Sequence, residues 1–295
     1  MNELETRVAL STLTYLDPQF QTLLEKLGVT QTYRLIKSES HKQQEQELPQ
    51  ANWSMWAENL EQIDTQAELE DLASLGGQTF IPQNPKHPLY YTLGNQDLLS
   101  ETNHRVSFIG ETNGYSPYGI GATKLIAYDL GKDDFVLVAS CLDREMGNLA
   151  LLSALNSGGK VIGVFPGGFN HLSRADSNLT KKILDNDGMI LSPLPPNCSR
   201  VFQSDSFIAQ LGHTLIVTEA PTYSEPVDVA KEEHYENDKL VIAIPGAITS
   251  YLSAGTNTLI KDGVAEMALN SGDVLQMLNM EALRRDSSIY AKFQF

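Results

Sequence analysis

Residues 106–130 read VSFIGETNGYSPYGIGATKLIAYDL, and this stretch decides the fold. An apolar run ends at Gly110, a loop of small and hydroxyl residues follows, and a helical pattern begins near Pro117. A strand, a glycine turn and a helix N-terminus in that order make an anion cradle, because the free N–H groups of a helix start point at negative charge. Yet Glu111 stands directly after Gly110, where a phosphate loop would want a neutral or basic residue.

The same unit recurs downstream. FVLVAS (135–140), KVIGVF (160–165), GMILS (188–192), TLIVT (214–218) and KLVIAIPG (239–246) are short apolar runs. The intervals 117–131, 144–157, 176–187, 201–212, 224–236 and 254–262 are each long enough for a helix. Strands without polar alternation are buried on both faces, as in a parallel sheet. Repeated strand–helix units require right-handed crossovers, so the expected fold class is α/β with a doubly wound, mostly parallel sheet. Ligands of such sheets bind at the carboxyl ends of the strands. Here those ends are Gly110, Ser140 and Cys141, residues 166–168, Ser192 and Pro193, Glu219, and Pro245 and Gly246.

Upstream the pattern is different. Leu10, Leu13, Leu16, Phe20, Leu23, Leu24 and Leu27 recur at helical spacing, and Gly28 follows as a C-cap. The polar stretch 38–50 reads as a loop or frayed helix, and Trp53, Met55 and Trp56 enter a second helical stretch. The spacing predicts a small all-α domain over 1–77. Residues 78–105 contain Pro82, Pro85 and Pro88 and read as an extended connection to a second domain over 106–295.

Composition narrows the function. The chain has 295 residues, 41% of them hydrophobic, which is enough for a packed core. Its net charge of −16 repels nucleic acid at long range, so a DNA-binding role needs a local basic groove. Residues 1–75 hold thirteen acids against five bases. Two cysteines make no disulfide framework, and the N-terminus has no signal-peptide pattern. No apolar run approaches the ~20 residues of a spanning helix, so a cytoplasmic protein without membrane contact is expected.

Catalytic patterns are missing. There is no P-loop, no G-x-G-x-x-G, no H-E-x-x-H, no zinc-ligand spacing and no G-x-S-x-G elbow. The expectation is therefore no enzyme, no metal and no cofactor. Glu111, Asp143, Glu145 and Glu219 can all approach one sheet edge, but their spacing assigns no chemistry. His171 reads as a surface or loop-ordering residue, and Cys141 as a small buried one.

The loops in order, VSFIGETNGYSPYG, SCLDREM, PGGF, ILSPLPP, FIAQLGHTLIVTEA, VIAIPG and SAGTNTLIKDG, resemble the DprA/Smf DNA-processing family over about residues 80–265. The final motif (Ser253, Gly255, Thr256, Asn257, Leu259, Ile260, Gly263) and SPYG carry the most specificity. The resemblance implies a Rossmann-like domain behind a helical, often SAM-like, one. It also implies single-stranded DNA binding, loading of a RecA-type recombinase in natural transformation and DNA recombination, a homodimer, and no enzymatic reaction. Carried onto this chain, the DNA- or phosphate-binding candidates are Gly110, Thr112, Ser140, Arg144, Gly167, Gly168 and Asn257.

The departures from the family pattern share one direction. The first loop, typically G-S-R, is Gly110, Glu111, Thr112, and the G-I-D of the second loop does not survive. Of the third loop, usually G-S/C-G-L-D, Pro166, Gly167, Gly168, Phe169 and Asn170 keep only the centre. Ser204, Asp205 and Ser206 stand where R-N-R is usual, and Ser224, Glu225, Pro226 and Val227 stand where S-G-[AS]-L is usual. Arginine forks hold phosphates bidentately and release counterions, so their loss weakens or abolishes DNA binding. The cations left to hold a strand are Arg144, Lys160, Arg174, Lys181 and Lys182. An alternative is a degenerate paralogue that acts through protein contacts or binds a different nucleotide-like ligand. A third reading, a phosphoribohydrolase of the related LOG type, has only the PGG of PGGFNHLSRAD in its favour.

Overall fold

The leucine spacing that opens the chain is divided between two helices, α1 (Glu3–Ser11) and α2 (Pro18–Lys37). The computed structural model describes residues 1–38, 48, 51–111, 114–142 and 146–292. The candidates Thr112 and Arg144, and the acids Asp143 and Glu145, lie outside these residues. The chain divides into two compact units. The first comprises 1–96, 165–173 and 191–202, and the second comprises 97–164, 174–190 and 203–295.

In the first unit, Asn2 and Glu5 form a reciprocal capping box that starts α1. The Asp17 side chain caps α2, with Pro18 at the first helical position. Gly28 has φ 72° and ψ 169°, so it interrupts the helix, but the chain re-enters helix at once and continues to Lys37. α3 (Trp53–Gln62) and α4 (Thr65–Ser74) complete the helical part. Its core joins Leu10, Leu13, Phe20, Leu23, Leu24 and Trp56, with the Phe20 and Trp56 rings edge-on at 5.8 Å.

The stretch 78–105 is not an extended connection. β1 (Gln78–Phe80) and β2 (Tyr90–Gly94) pair as an antiparallel hairpin, and a 3-10 turn follows over Gln96–Leu99. The three prolines all fall between the two strands. The ladder positions hold Thr79, Phe80, Tyr90, Tyr91 and Thr92, residue types that fit a pleated surface. Tyr91 is buried, and its hydroxyl meets Ser11 Oγ at 2.7 Å. In the same unit Phe202 stacks on Tyr15 at 3.9 Å, and the Arg200 guanidinium donates to the Thr12 carbonyl.

The second unit is a wound sheet. β3 (His104–Ile109) leads through α5 (Pro117–Leu130) to β4 (Phe135–Ser140), and then through α6 (Met146–Asn156) to β5 (Lys160–Val164). α7 (Arg174–Asp185) precedes β6 (Met189–Ser192), within which the chain passes from this unit to the first. α8 (Asp205–Leu211), β7 (Thr214–Val217), α9 (Glu225–Asn237), β8 (Leu240–Ala243), α10 (Ala254–Lys261), β9 (Glu266–Met267) and α11 (Ser271–Lys292) follow. Six strands lie in the order β5-β4-β3-β7-β8-β9, and every neighbouring pair is parallel. Every residue of β4 and β7 is buried, as runs without alternation require. β9 and α11 lie beyond the pattern recognised in the sequence.

The winding goes from β3 outward through β4 and β5, then returns to β7 on the other side of β3. The switch point of the doubly wound sheet is therefore the crevice between the carboxyl ends of β3 and β7, where such folds place ligands.

At the opposite edge the sheet is closed by buried charge. Arg105, 8% exposed, donates from its guanidinium to the carbonyls of Leu211, Leu99 and Ser100. Lys239 is paired at 2.6 Å with Glu233, itself 2% exposed, and donates to the Ala209 carbonyl. Among the described residues, no helix is long and apolar enough to cross a membrane.

Candidate functional site

Gly110 ends β3 without a positive φ. Its glycine is required by close approach instead. A Cβ there would lie 3.2 Å from the carbonyl oxygen of Glu219, and the next amide, Glu111 N–H, donates to that carbonyl at 2.9 Å. The ends of β3 and β7 are thus stitched together at the switch point. The left-handed turn is made further along the loop, at Gly114 with φ 131°.

Ser116 caps α5 by accepting from Gly119 N–H at 3.0 Å, and Pro117 takes the first helical position. The Glu219 side chain reaches the same terminus. Its Oε2 accepts the Ser116 backbone N–H at 2.9 Å, and its Oε1 accepts the Ser116 hydroxyl at 2.6 Å. Glu219 is 1% exposed. Gly119 allows this packing, since a Cβ there would fall 2.8 Å from Glu219 Cδ. On the next strand end, the Tyr118 hydroxyl donates to the Pro245 carbonyl. Partial burial, and then the nearby Glu219 charge, raise the Tyr118 phenol above its ordinary range.

Asn257 spends both ends of its amide on one residue. Oδ1 accepts Gly246 N–H at 3.1 Å, and Nδ2 donates to Gly246 O at 3.1 Å. The SAGTN motif is accordingly a clamp on the turn after β8. Gly255 N–H donates to the Ala220 carbonyl at 2.8 Å, and a Cβ on Gly255 would overlap the backbone of Pro221. Thr256 is fully buried and its hydroxyl donates to the Ser253 carbonyl. Gly263, with φ 71°, closes α10.

Ser140 is 4% exposed beneath the first turn of α6. A Cβ on Gly147 would sit 2.7 Å from Ser140 N, and Ser140 Oγ accepts Leu142 N–H at 3.3 Å. Cys141 is fully buried. Gly110, Ser140 and Asn257 therefore share the carboxyl edge of one sheet, each engaged with its own chain.

Gly167 and Gly168 belong to the first unit. Gly167 O accepts Ser192 Oγ at 2.8 Å, and Gly168 N–H donates to Cys198 O at 3.0 Å. A Cβ on Gly168 would lie 2.7 Å from Cys198 N, so this glycine pair makes room for the backbone of 195–198. His171 Nε2 meets Asn197 O at 3.1 Å, in keeping with a loop-ordering role.

Two of the cations expected to hold a strand stand at the other edge. Lys160 opens β5 and pairs with Asp187 at 2.7 Å, while Lys182, in the last turn of α7, donates to Asn156 Oδ1 at 2.7 Å. A strand at the carboxyl ends cannot use them. Among the described residues no group of three or more His, Cys, Asp and Glu side chains is placed to hold a metal ion. Glu219 is legible in the sequence only as one of four acids able to approach this sheet edge, with no role assigned. Its signal was only an acid directly after a β-run, and nothing local shows which helix it faces.

Residues 78–279 match the sequence profile of the family described as DNA recombination-mediator protein A. The chain belongs to that family. Curated members of the DNA recombination-mediator protein A family similar to it include the DNA processing protein DprA of Streptococcus pneumoniae. That protein is 28% identical over 191 residues, 63% of this chain and 65% of the relative. A putative DprA of Mycobacterium tuberculosis is 26% identical over 184 residues, 61% of this chain and 46% of the relative. This chain thus matches about half to two thirds of the length of those relatives.

Solved structures agree on the fold. The chain superposes on the S. pneumoniae protein with a TM-score of 0.68 at 21% identity, covering 94% of this chain and 98% of the other. A Helicobacter pylori DNA processing protein A, a protein with a single-stranded DNA binding mode, gives 0.58 at 22% identity, covering 70% of this chain and 96% of the other.

Proposed function

We propose that this protein is a DNA-processing protein that binds single-stranded DNA weakly and serves DNA uptake and recombination. In this reading it works in the cytoplasm as a homodimer, passes the strand to a RecA-type recombinase and catalyses no reaction itself. The observation that carries the reading is the family match across 78–279, which includes every strand-end loop of the wound sheet. The weakness follows from charge. The net charge is −16, Glu111 and Glu219 stand at the switch point, and Lys160 and Lys182 are turned to the other edge.

Fluorescence anisotropy with a labelled oligo-dT at low salt tests it. Micromolar binding is expected, with log K falling by ~0.7 per phosphate contact as log salt rises. Binding that ignores salt, or none at low salt, removes the DNA reading. The engagement of Gly110, Gly168 and Asn257 with their own chain favours a second reading, in which an inherited scaffold acts through protein contacts. Its signature is a dimer in sedimentation together with no DNA binding.

A further inference from the structure

The crevice between β3 and β7 is where a doubly wound sheet takes an anionic ligand, on the N-terminus of the helix that follows its first strand. Here that position is occupied from within. The Glu219 carboxylate lies on the N-terminus of α5, holding the Ser116 amide and hydroxyl at 2.9 and 2.6 Å. It is buried, and among the described residues it makes no ion pair, so the donors at the helix start are what compensate its charge.

We propose that Glu219 is a specificity-determining residue: a built-in anion that keeps phosphate off the N-terminus of α5. Three features carry this. All but one of the donors of the terminus are committed: Ser116 N–H to Glu219, Gly119 N–H to Ser116 Oγ, and Ile120 N–H to the Ser116 carbonyl, while Pro117 has none to offer and only Tyr118 N–H is not engaged in this way. The space is taken as well, because the carboxylate fills the position that a Cβ on Gly119 would occupy. A phosphate brought to the same amides would also stand within a few ångströms of a like charge in a water-poor crevice. This deepens the DNA reading, on which its biological meaning rests. Backbone phosphates of a bound strand are kept from the switch-point helix and must be held elsewhere.

The test separates the two ideas. Full-length protein labelled with nitrogen-15 is titrated with inorganic phosphate, and the amide resonances of Ser116 and Gly119 are followed. In the wild type they are expected to stay in place. In Glu219→Gln, which keeps a hydrogen-bonding group against Ser116 but loses the charge, they move saturably, with affinity higher by about tenfold or more. Glu219→Ala, which also empties the space, gives the same gain. Phosphate-dependent shifts of these amides in the wild type, or their absence in folded charge-free variants, overturn the proposal. The wild-type titration decides alone if the variants do not fold. Oligo-dT binding is measured in parallel. Its absence removes the DNA reading and leaves the phosphate comparison standing.

Discussion

The Arg105 guanidinium lies 3.1 Å from His213 Nε2, while the Arg105 main-chain N–H donates to His213 Nδ1 at 3.1 Å. One cationic residue thus faces both ring nitrogens of the imidazole. Burial, followed by the charges of Arg105, Arg285, Lys239 and His104, pushes its pKa down to about 2. The protein folds with His213 neutral.

A pH dependence follows. The folded pKa lies below the unfolded value of about 6.5, so the unfolded chain binds the extra proton. Stability from this residue is full above pH ~6.5 and falls as pH drops below it, by up to about 1.4 kcal/mol per unit. His213→Asn should flatten that part of the curve. Urea melts of both proteins between neutral and mildly acid pH measure it, and parallel curves would show that His213 does not set the slope.

Lys239 and Glu233 form a pair that neither can leave alone. Lys239→Met strands a carboxylate that is 2% exposed, and should cost about 3–5 kcal/mol. Adding Glu233→Leu removes the orphaned charge and should recover most of the loss. A double-mutant cycle by chemical denaturation reads both, and additive losses would refute the coupling.

Two glycines should respond in opposite ways to alanine. A Cβ at Gly168 meets the carbonyl oxygens and an amide of 195–198, so Gly168→Ala should destabilise by about 1–3 kcal/mol. Gly121, within α5, has nothing within 4 Å of its Cβ position, and Gly121→Ala should stabilise by about 0.5–1 kcal/mol. Thermal unfolding distinguishes the signs.

Asn257→Ala removes two bonds to Gly246 and should lower stability by about 1–3 kcal/mol. If the residue serves the fold, oligo-dT affinity per folded molecule stays within about twofold, since no phosphate contact is lost. Loss of affinity without loss of stability would instead make Asn257 a ligand contact.

Much of this was legible along the chain. The runs at 135–140, 160–165 and 214–218 were read as buried strands because apolar side chains without alternation need cover on both faces, and every residue of them but Lys160 is buried. The hairpin at Gln78–Phe80 and Tyr90–Gly94 was missed because Pro82, Pro85 and Pro88 mask two short strands, while its pairing joins residues ten to fourteen positions apart. Gly110 was read as a turn glycine, whereas its smallness serves the approach of Glu219 O, more than one hundred residues away.

The sequence by itself determined the wound sheet, the helical start and the family, since these rest on periodicity and on motifs that are contiguous in the chain. It also showed an acid beside Gly110, and so posed the question of the anion. Only the tertiary structure decided the answer. Strand order brings the end of β7 beside the end of β3, and that adjacency puts the Glu219 carboxylate on the Ser116 amide. Hydrogen bonds and like-charge exclusion act over a few ångströms, whereas the sequence separates these two residues by 103 positions.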